Sequence, residues 1–368
     1  MPRKLVFDRI LFVTILLLCV MGLVMVYSAS AVIAAEQYGS PYHFLIRQAL
    51  ALVVGLAAMG VMMKANYRAF GRAPIVYGAF GVTALLLVGA LLSPSVNGTH
   101  RWMKLGPLSL QPSEFAKLVL ILFLAWRLQR DASSEQGATI NNIQKTLVPC
   151  LVLAGFLIFL VVLQPDLGTA VSLCIYSAVM MITAGLRLRY LGYMAAAALL
   201  VLLIVVPMKG YQMRRVTAFM NPDEDPLGAG YQVRQSTIAV GAGGATGLGL
   251  SQGQQKLFFL PYPYTDFIYS VIGEELGLAG ASLTALMFLL LLWRGMRVAS
   301  RAPDLFGSYL AAGITMFLVV QAMINMGVAL GMMPAKGLPL PFISYGGSSL
   351  VAGLAASGVL LNISQYSS

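Results

Sequence analysis

The chain has 368 residues, 59% of them hydrophobic and 10% charged, with 37 glycines and a formal net charge of +11. So apolar a composition excludes a water-soluble globular domain. The basic surplus would suit nucleic acid, but it gathers at the ends of apolar runs, where membrane topology accounts for it.

Ten runs are long enough to cross a hydrocarbon core of about 30 Å. They lie near 10–30, 45–63, 74–92, 113–127, 146–164, 167–184, 189–207, 267–293, 306–331 and 344–363. The pattern predicts an all-α integral membrane protein of about ten transmembrane helices, one polytopic domain over residues 1–368. The first run follows "MPRKLVFDR" and ends in the small-residue stretch "YSASAVIAA", a leader-like pattern. Its length favours a retained helix. With the N-terminus in the cytoplasm, 14 of the 24 basic residues fall in the N-terminal tail and the even-to-odd loops, so both termini are expected there. Cys19, Cys150 and Cys174 sit inside apolar runs without ligand spacing. His43 and His100 are the only histidines, which leaves almost no material for a histidine metal site or a Ser/His/Asp triad.

Two connections, both expected outside the cell, are long: roughly 93–112 and 208–265. Long polar segments between membrane helices are where function concentrates. In the second, residues 231–240 suit a short interfacial helix, and "GAGGATGLG" reads as a flexible turn. That glycine run lacks the lysine-serine ending of a phosphate loop.

Ionisable residues inside apolar runs are costly and need partners or a wet cavity. Glu114 and Lys117 are spaced i,i+3 and can neutralise each other, as a structural pair or as substrate-facing groups. Asp166, in "QPDLGT", is placed to cap the following helix. Spacing alone favours the same role for Asp266 in "FLPYPYTDFIYSVIGEELG". Glu274 and Glu275 lie about two turns further in and point away from it, so the three carboxylates do not share one site. The glutamates are expected to be buried partners of cations or to make packing hydrogen bonds.

Four stretches in order, "NGTHRWMKLGPLSLQPSEFAKL", "QPDLGT", residues 230–280 and "GMMPAKGLPLPFISYGGSSL", resemble the SEDS family of shape, elongation, division and sporulation proteins. Lys336 in "PAKGLPLPFISYGG" makes the chain similar to the division branch (FtsW-like) before the rod-elongation branch (RodA-like). Where many members carry a glutamate in "FLPE", this chain has Pro261-Tyr262.

The resemblance implies a plasma-membrane peptidoglycan glycosyltransferase that polymerises lipid II, releases undecaprenyl pyrophosphate and works with a class B penicillin-binding protein at the division septum. It makes Asp266 the essential catalytic residue, as base or as ligand of a divalent cation such as Mg or Mn. Arg101, Lys117, Lys256 and Lys336 are the cations expected to meet the pyrophosphate, with Glu114 lining a polar cavity. Gln235, Ser236, Ser344 and Tyr345 are candidate substrate contacts. Arg214 and Arg215 suit pyrophosphate or anionic lipid headgroups equally. Lipid II translocation is the alternative activity, because intramembrane ionisable residues also line transport paths.

Overall fold

A computed structural model gives the fold and describes residues 6–94, 99–105, 108–132, 141–208, 210–220, 228–257, 259–334 and 337–366. Each of the ten apolar runs is helical: α1 (Arg9–Tyr38), α2 (His43–Lys64), α4 (Ala73–Leu91), α5 (Pro112–Ala132), α6 (Val148–Leu163), α7 (Leu167–Thr183), α8 (Leu188–Met208), α11 (Ile268–Ser300), α12 (Leu305–Ala329) and α13 (Gly347–Ser364). A one-turn helix, α3 (Tyr67–Phe70), precedes α4. Among the described residues, seven helices are long and apolar enough to cross a membrane. The remaining three are the charged α5, the 17-residue α7, and α8, of which only Leu188–Val201 is counted.

Local chemistry sets the ends. Asp8 Oδ1 accepts from Leu11 N at 3.0 Å to open α1, and Asp304 Oδ1 accepts from Gly307 N at 2.8 Å to open α12. Gly39, at φ 70°, closes α1 in the left-handed region. Helices α12 and α13 are the most enclosed; α12 packs on α11, α5 and α7, while α13 lies along α2. A Cβ at Gly358 would sit 2.5 Å from the Met59 carbonyl oxygen, so the small residues of α13 are a close-packing seam. Outer helices turn Leu50, Val53, Leu85 and Leu203 outward, as a lipid-facing belt requires.

Among the described residues, both long connections carry regular structure beyond what the sequence predicts. The first holds a small antiparallel hairpin, β1 (Met103–Leu105) and β2 (Leu108–Leu110), which departs from an all-α fold. The second holds α9 (Gly210–Met220) and α10 (Ala229–Ala242), the latter covering the predicted short helix and packing on α11.

The turn expected at "GAGGATGLG" is present, but hydrogen bonds pin it to α11 instead of leaving it flexible. Helix α11 breaks at Gly277, whose φ of 66° and ψ of −166° suit glycine alone. The amides of Leu278 and Ala279 then donate to the carbonyls of Gly244 and Ala245 at 2.9 and 3.1 Å, and those of Leu248 and Gly249 donate to Glu274 and Glu275, both at 3.0 Å. The glycine strap therefore replaces hydrogen bonds that the break removes. A Cβ at Gly243 or Gly247 would overlap the carbonyl oxygen of Gly273 or Glu275, which is why glycines stand there.

Candidate functional site

A cavity of about 340 Å³ opens between the first long loop, α9, α10 and the segments that precede α11 and α13. Arg101, Gln111, Arg215, Gln232, Asp266 and Tyr345 are among its lining. Several buried hydrogen bonds fix the backbone that carries Asp266. Asn325, on α12, donates from Nδ2 to the Asp266 carbonyl at 2.9 Å and to that of Leu338 at 2.8 Å. Ser344 Oγ donates to the Thr265 carbonyl at 2.6 Å and accepts from Leu340 N at 2.8 Å. The Tyr345 amide donates to the Tyr264 carbonyl at 2.9 Å. Tyr262, just before Pro263, is held at φ 53°, a sparsely populated conformation of the kind that gathers at functional sites.

The Asp266 side chain is treated differently from its backbone. Among the described residues no side chain caps α11, whose N-cap is Phe267, so capping is not the role of Asp266. Its carboxylate instead borders the cavity. A Cβ at Gly337 would lie 3.5 Å from Asp266 Oδ2 and 3.6 Å from Arg101 Nη1, so carboxylate and guanidinium flank one point. Burial pushes the Asp266 carboxyl up from 3.8 to about 6, with Arg215 and Arg101 pulling it down and Asp166 adding to the rise.

Arg101 is anchored from behind: Nη2 donates to the Pro165 carbonyl at 2.7 Å, and Nε lies 3.6 Å from Asp166 Oδ2. Asp166 caps α7 as predicted, accepting from Thr169 N at 3.1 Å and Thr169 Oγ1 at 2.8 Å. One turn thus orients both a helix and a cavity cation.

Other predicted residues sit elsewhere. Lys117 Nζ donates to Glu114 Oε1 and Gln321 Oε1, both at 2.7 Å, and Gln321 Nε2 donates to the Pro339 carbonyl at 2.8 Å. Glu114 and Lys117 are wholly buried behind the cavity wall rather than lining it, and Gln321 links them to it. Ser236 is buried and bonded to Ser270 Oγ at 2.5 Å and the Ala329 carbonyl at 2.6 Å, because its face of α10 packs on α11 and α12. Gln235 is half-buried off the cavity, one helical turn from the lining residue Gln232. Ser344 holds backbone, and Tyr345 lines the cavity. Lys336 lies outside the described residues.

Lys256 is removed from the cavity by a stronger partner. Its Nζ bonds Glu275 Oε1 at 2.5 Å and Ser28 Oγ at 3.1 Å. Glu275 also accepts from Ser28 Oγ at 2.6 Å and Ser251 N at 3.1 Å. Glu274 Oε1 accepts from Gln254 N and Gln255 N at 2.7 and 3.0 Å. Both glutamates therefore clasp residues 251–256, apart from Asp266 as helix geometry predicts.

Sequence reasoning did not place Asn325, Gln321 or Gln232. The two amides on α12 offered a signal, being polar residues four apart in an apolar run.

The chain matches the FtsW/RodA/SpoVE family of cell cycle proteins over residues 8–368. It belongs to that family. It is 42% identical over 366 residues to stage V sporulation protein E of Bacillus subtilis, covering 98% of this chain and 97% of that one. It is also 42% identical to a probable peptidoglycan glycosyltransferase FtsW of Geobacter metallireducens, over 97% of this chain and 94% of the relative. A solved peptidoglycan synthase complex that coordinates polymerisation and crosslinking contains a chain 35% identical, with a TM-score of 0.79 and 97% of each chain covered. The rod shape determining protein RodA of Thermus thermophilus is 29% identical with a TM-score of 0.71, over 97% of this chain and 96% of that one. This family member is thus a helical, multi-pass membrane protein.

Proposed function

We propose that this chain is a peptidoglycan glycosyltransferase that polymerises lipid II on the outer face of the plasma membrane, releasing undecaprenyl pyrophosphate, for septal wall synthesis during division. The observation that carries the reading is the Asp266 cavity, where a carboxylate free of hydrogen bonds among the described residues faces two guanidinium groups. The 4-hydroxyl of one sugar attacks the anomeric carbon of another, and the bond to the pyrophosphate oxygen breaks as the new C–O bond forms. Asp266 receives the hydroxyl proton, and a carboxyl at about 6 is mostly ionised at neutral pH yet more basic than a free aspartate. Arg101 and Arg215 stabilise charge on the departing pyrophosphate. Tyr345 and Gln232 are positioned to meet sugar or peptide, and Lys336 keeps its proposed place as a third cation.

Ten spans with both termini in the cytoplasm belong to the same proposal, supported by the ten helices and the basic residues at their predicted inner ends. A class B penicillin-binding protein supplies crosslinking, a partnership supported by the likeness to the synthase complex. A divalent cation enters only as a companion of the pyrophosphate. Among the described residues no group of three metal-ligating side chains stands together, and Asp266 is the cavity carboxylate that would meet such a cation beside the pyrophosphate. Translocation loses its sequence support, since Glu114, Lys117, Glu274 and Glu275 are each packed against partners instead of lining a path.

The test is a glycan-strand assay with purified protein, its partner and lipid II, with and without chelator. Long strands from the wild type and none from Asp266→Asn are expected. Strands made by the variant would remove Asp266 from the chemistry, and headgroup translocation without polymer would favour the flippase.

A further inference from the structure

The far end of α11 carries a second cluster of charge that polymerisation does not use. Arg294, Arg297 and Arg301 follow one another at three- and four-residue spacing and so share a face. Arg294 is spent on Asp8, with Nε 3.0 Å and Nη2 2.5 Å from Oδ2. Around that pair lies a cavity of about 430 Å³, also lined by Arg9, Arg297 and Arg301. Arg297 and Arg301 belong equally to an adjoining recess of about 830 Å³, whose other walls include Leu289, Trp293 and Met296. The two guanidiniums stand where a polar hollow meets an apolar one.

Ordinary topology does not account for this arrangement. The positive-inside rule explains cations at this end of α11, but not their convergence on one cavity. The dipole of α11 favours cations in its last turns; that of α1 disfavours Arg9, which is the first residue of that helix. Asp8 offsets one of four charges, and the remaining three repel across the hollow. An anion there would relieve the repulsion, and guanidinium forks suit phosphate oxygens. The apolar recess, with Trp293 56% exposed at its side, supplies what an inorganic anion does not need: a bed for acyl chains.

We propose that this end of α11 is a binding site for an anionic phospholipid, its phosphate held by Arg9, Arg297 and Arg301 and its chains laid along the Leu289–Met296 recess. The site is separate from the Asp266 cavity and stands whether or not the polymerase reading does.

Native mass spectrometry of the full-length protein in detergent, offered phosphatidylglycerol, phosphatidylcholine or glycerophosphate, tests it. Phosphatidylglycerol should be retained preferentially, and Arg297→Gln with Arg301→Gln should weaken its retention roughly 30-fold for two guanidiniums at a membrane surface. Equal retention of the two lipids by the wild type overturns the proposal, as does undiminished retention by the double variant. Saturation by glycerophosphate alone overturns it too, because the acyl recess would then be idle. A photoactivatable phosphatidylglycerol gives a reading that needs no variant: crosslinks should concentrate in residues 289–301, and an even spread over the lipid-facing helices would refute the site.

Discussion

Asp266 and Glu275 are carboxylates nine positions apart on one segment, and they differ in every respect that decides function. Glu275 is wholly buried and saturated by a lysine, a serine hydroxyl and a backbone amide. Asp266 has its backbone fixed and, among the described residues, no hydrogen bond to its side chain, which borders a cavity with two arginines. A carboxylate buried among its partners serves architecture; one that borders a cavity keeps an oxygen within reach of substrate. The same contrast separates Lys256, locked to Glu275, from Arg101, tethered at its rear and open at the front.

The contrast breaks most sharply at Asp266. Asp266→Asn should lower the strand-forming rate by about 10²–10⁴-fold, the usual worth of a general base, while the protein still folds and still binds the proposed transpeptidase partner. Glu275→Gln should do the reverse. Removing one partner of a buried ion pair costs about 3–5 kcal/mol, so the variant should melt much earlier or fail to accumulate. Glu275→Gln combined with Lys256→Met should recover part of that loss, which a melting series of the single and double variants would measure. Recovery of activity along with stability would support an architectural role; a stable double variant without activity would give Lys256 back its place at the substrate.

Between these extremes lies Asn325, which touches only the backbone of the site. Asn325→Leu forfeits two hydrogen bonds to buried carbonyls, each worth about 0.5–1.5 kcal/mol net. The expected outcome is a lower kcat with little change in KM, because Asp266 would shift while the cavity cations stay. A variant with unchanged kcat and reduced stability would make Asn325 a packing residue.

How much of this was legible depends on which force placed each residue. Helix positions were readable because lipid imposes long apolar runs, and the ten runs coincide with ten helices. The Asp166 cap was readable because it is local, an Asp three residues before the amide it binds. The Glu114–Lys117 pair was readable for the same reason, but its link to the cavity through Gln321 spans 204 positions and left no local trace. The glycine turn was readable but its purpose was not, since only the break at Gly277 gives those glycines their role, and the two are brought together by tertiary contact. Lys256 was assigned to the cavity by its place in a motif, whereas a buried carboxylate 19 residues away claims it. Arg215 received no preference over Arg214, and it reaches the cavity through α9, an element that the hydropathy pattern does not reveal.

Acid sharpens the comparison in two ways. With Asp266 as the proposed base at about 6, protonation removes its function as pH falls, so the strand-forming rate should drop by half near pH 6 and about tenfold by pH 5, a profile that Asp266→Glu would displace. The effect on stability runs in the opposite direction. Because the folded-state value lies above the ordinary 3.8, the folded protein binds the proton more tightly than the unfolded chain. Stability from this group is therefore fully present below pH 3.8, is lost as pH rises towards 6, and changes no further above that. Asn at position 266 carries no such burden. Asp266→Asn should melt above the wild type at pH 8, and the gap should close as both are acidified through that window. A variant less stable than the wild type at pH 8 would show that the carboxylate has a stabilising partner after all, and would move Asp266 towards the company of Glu275.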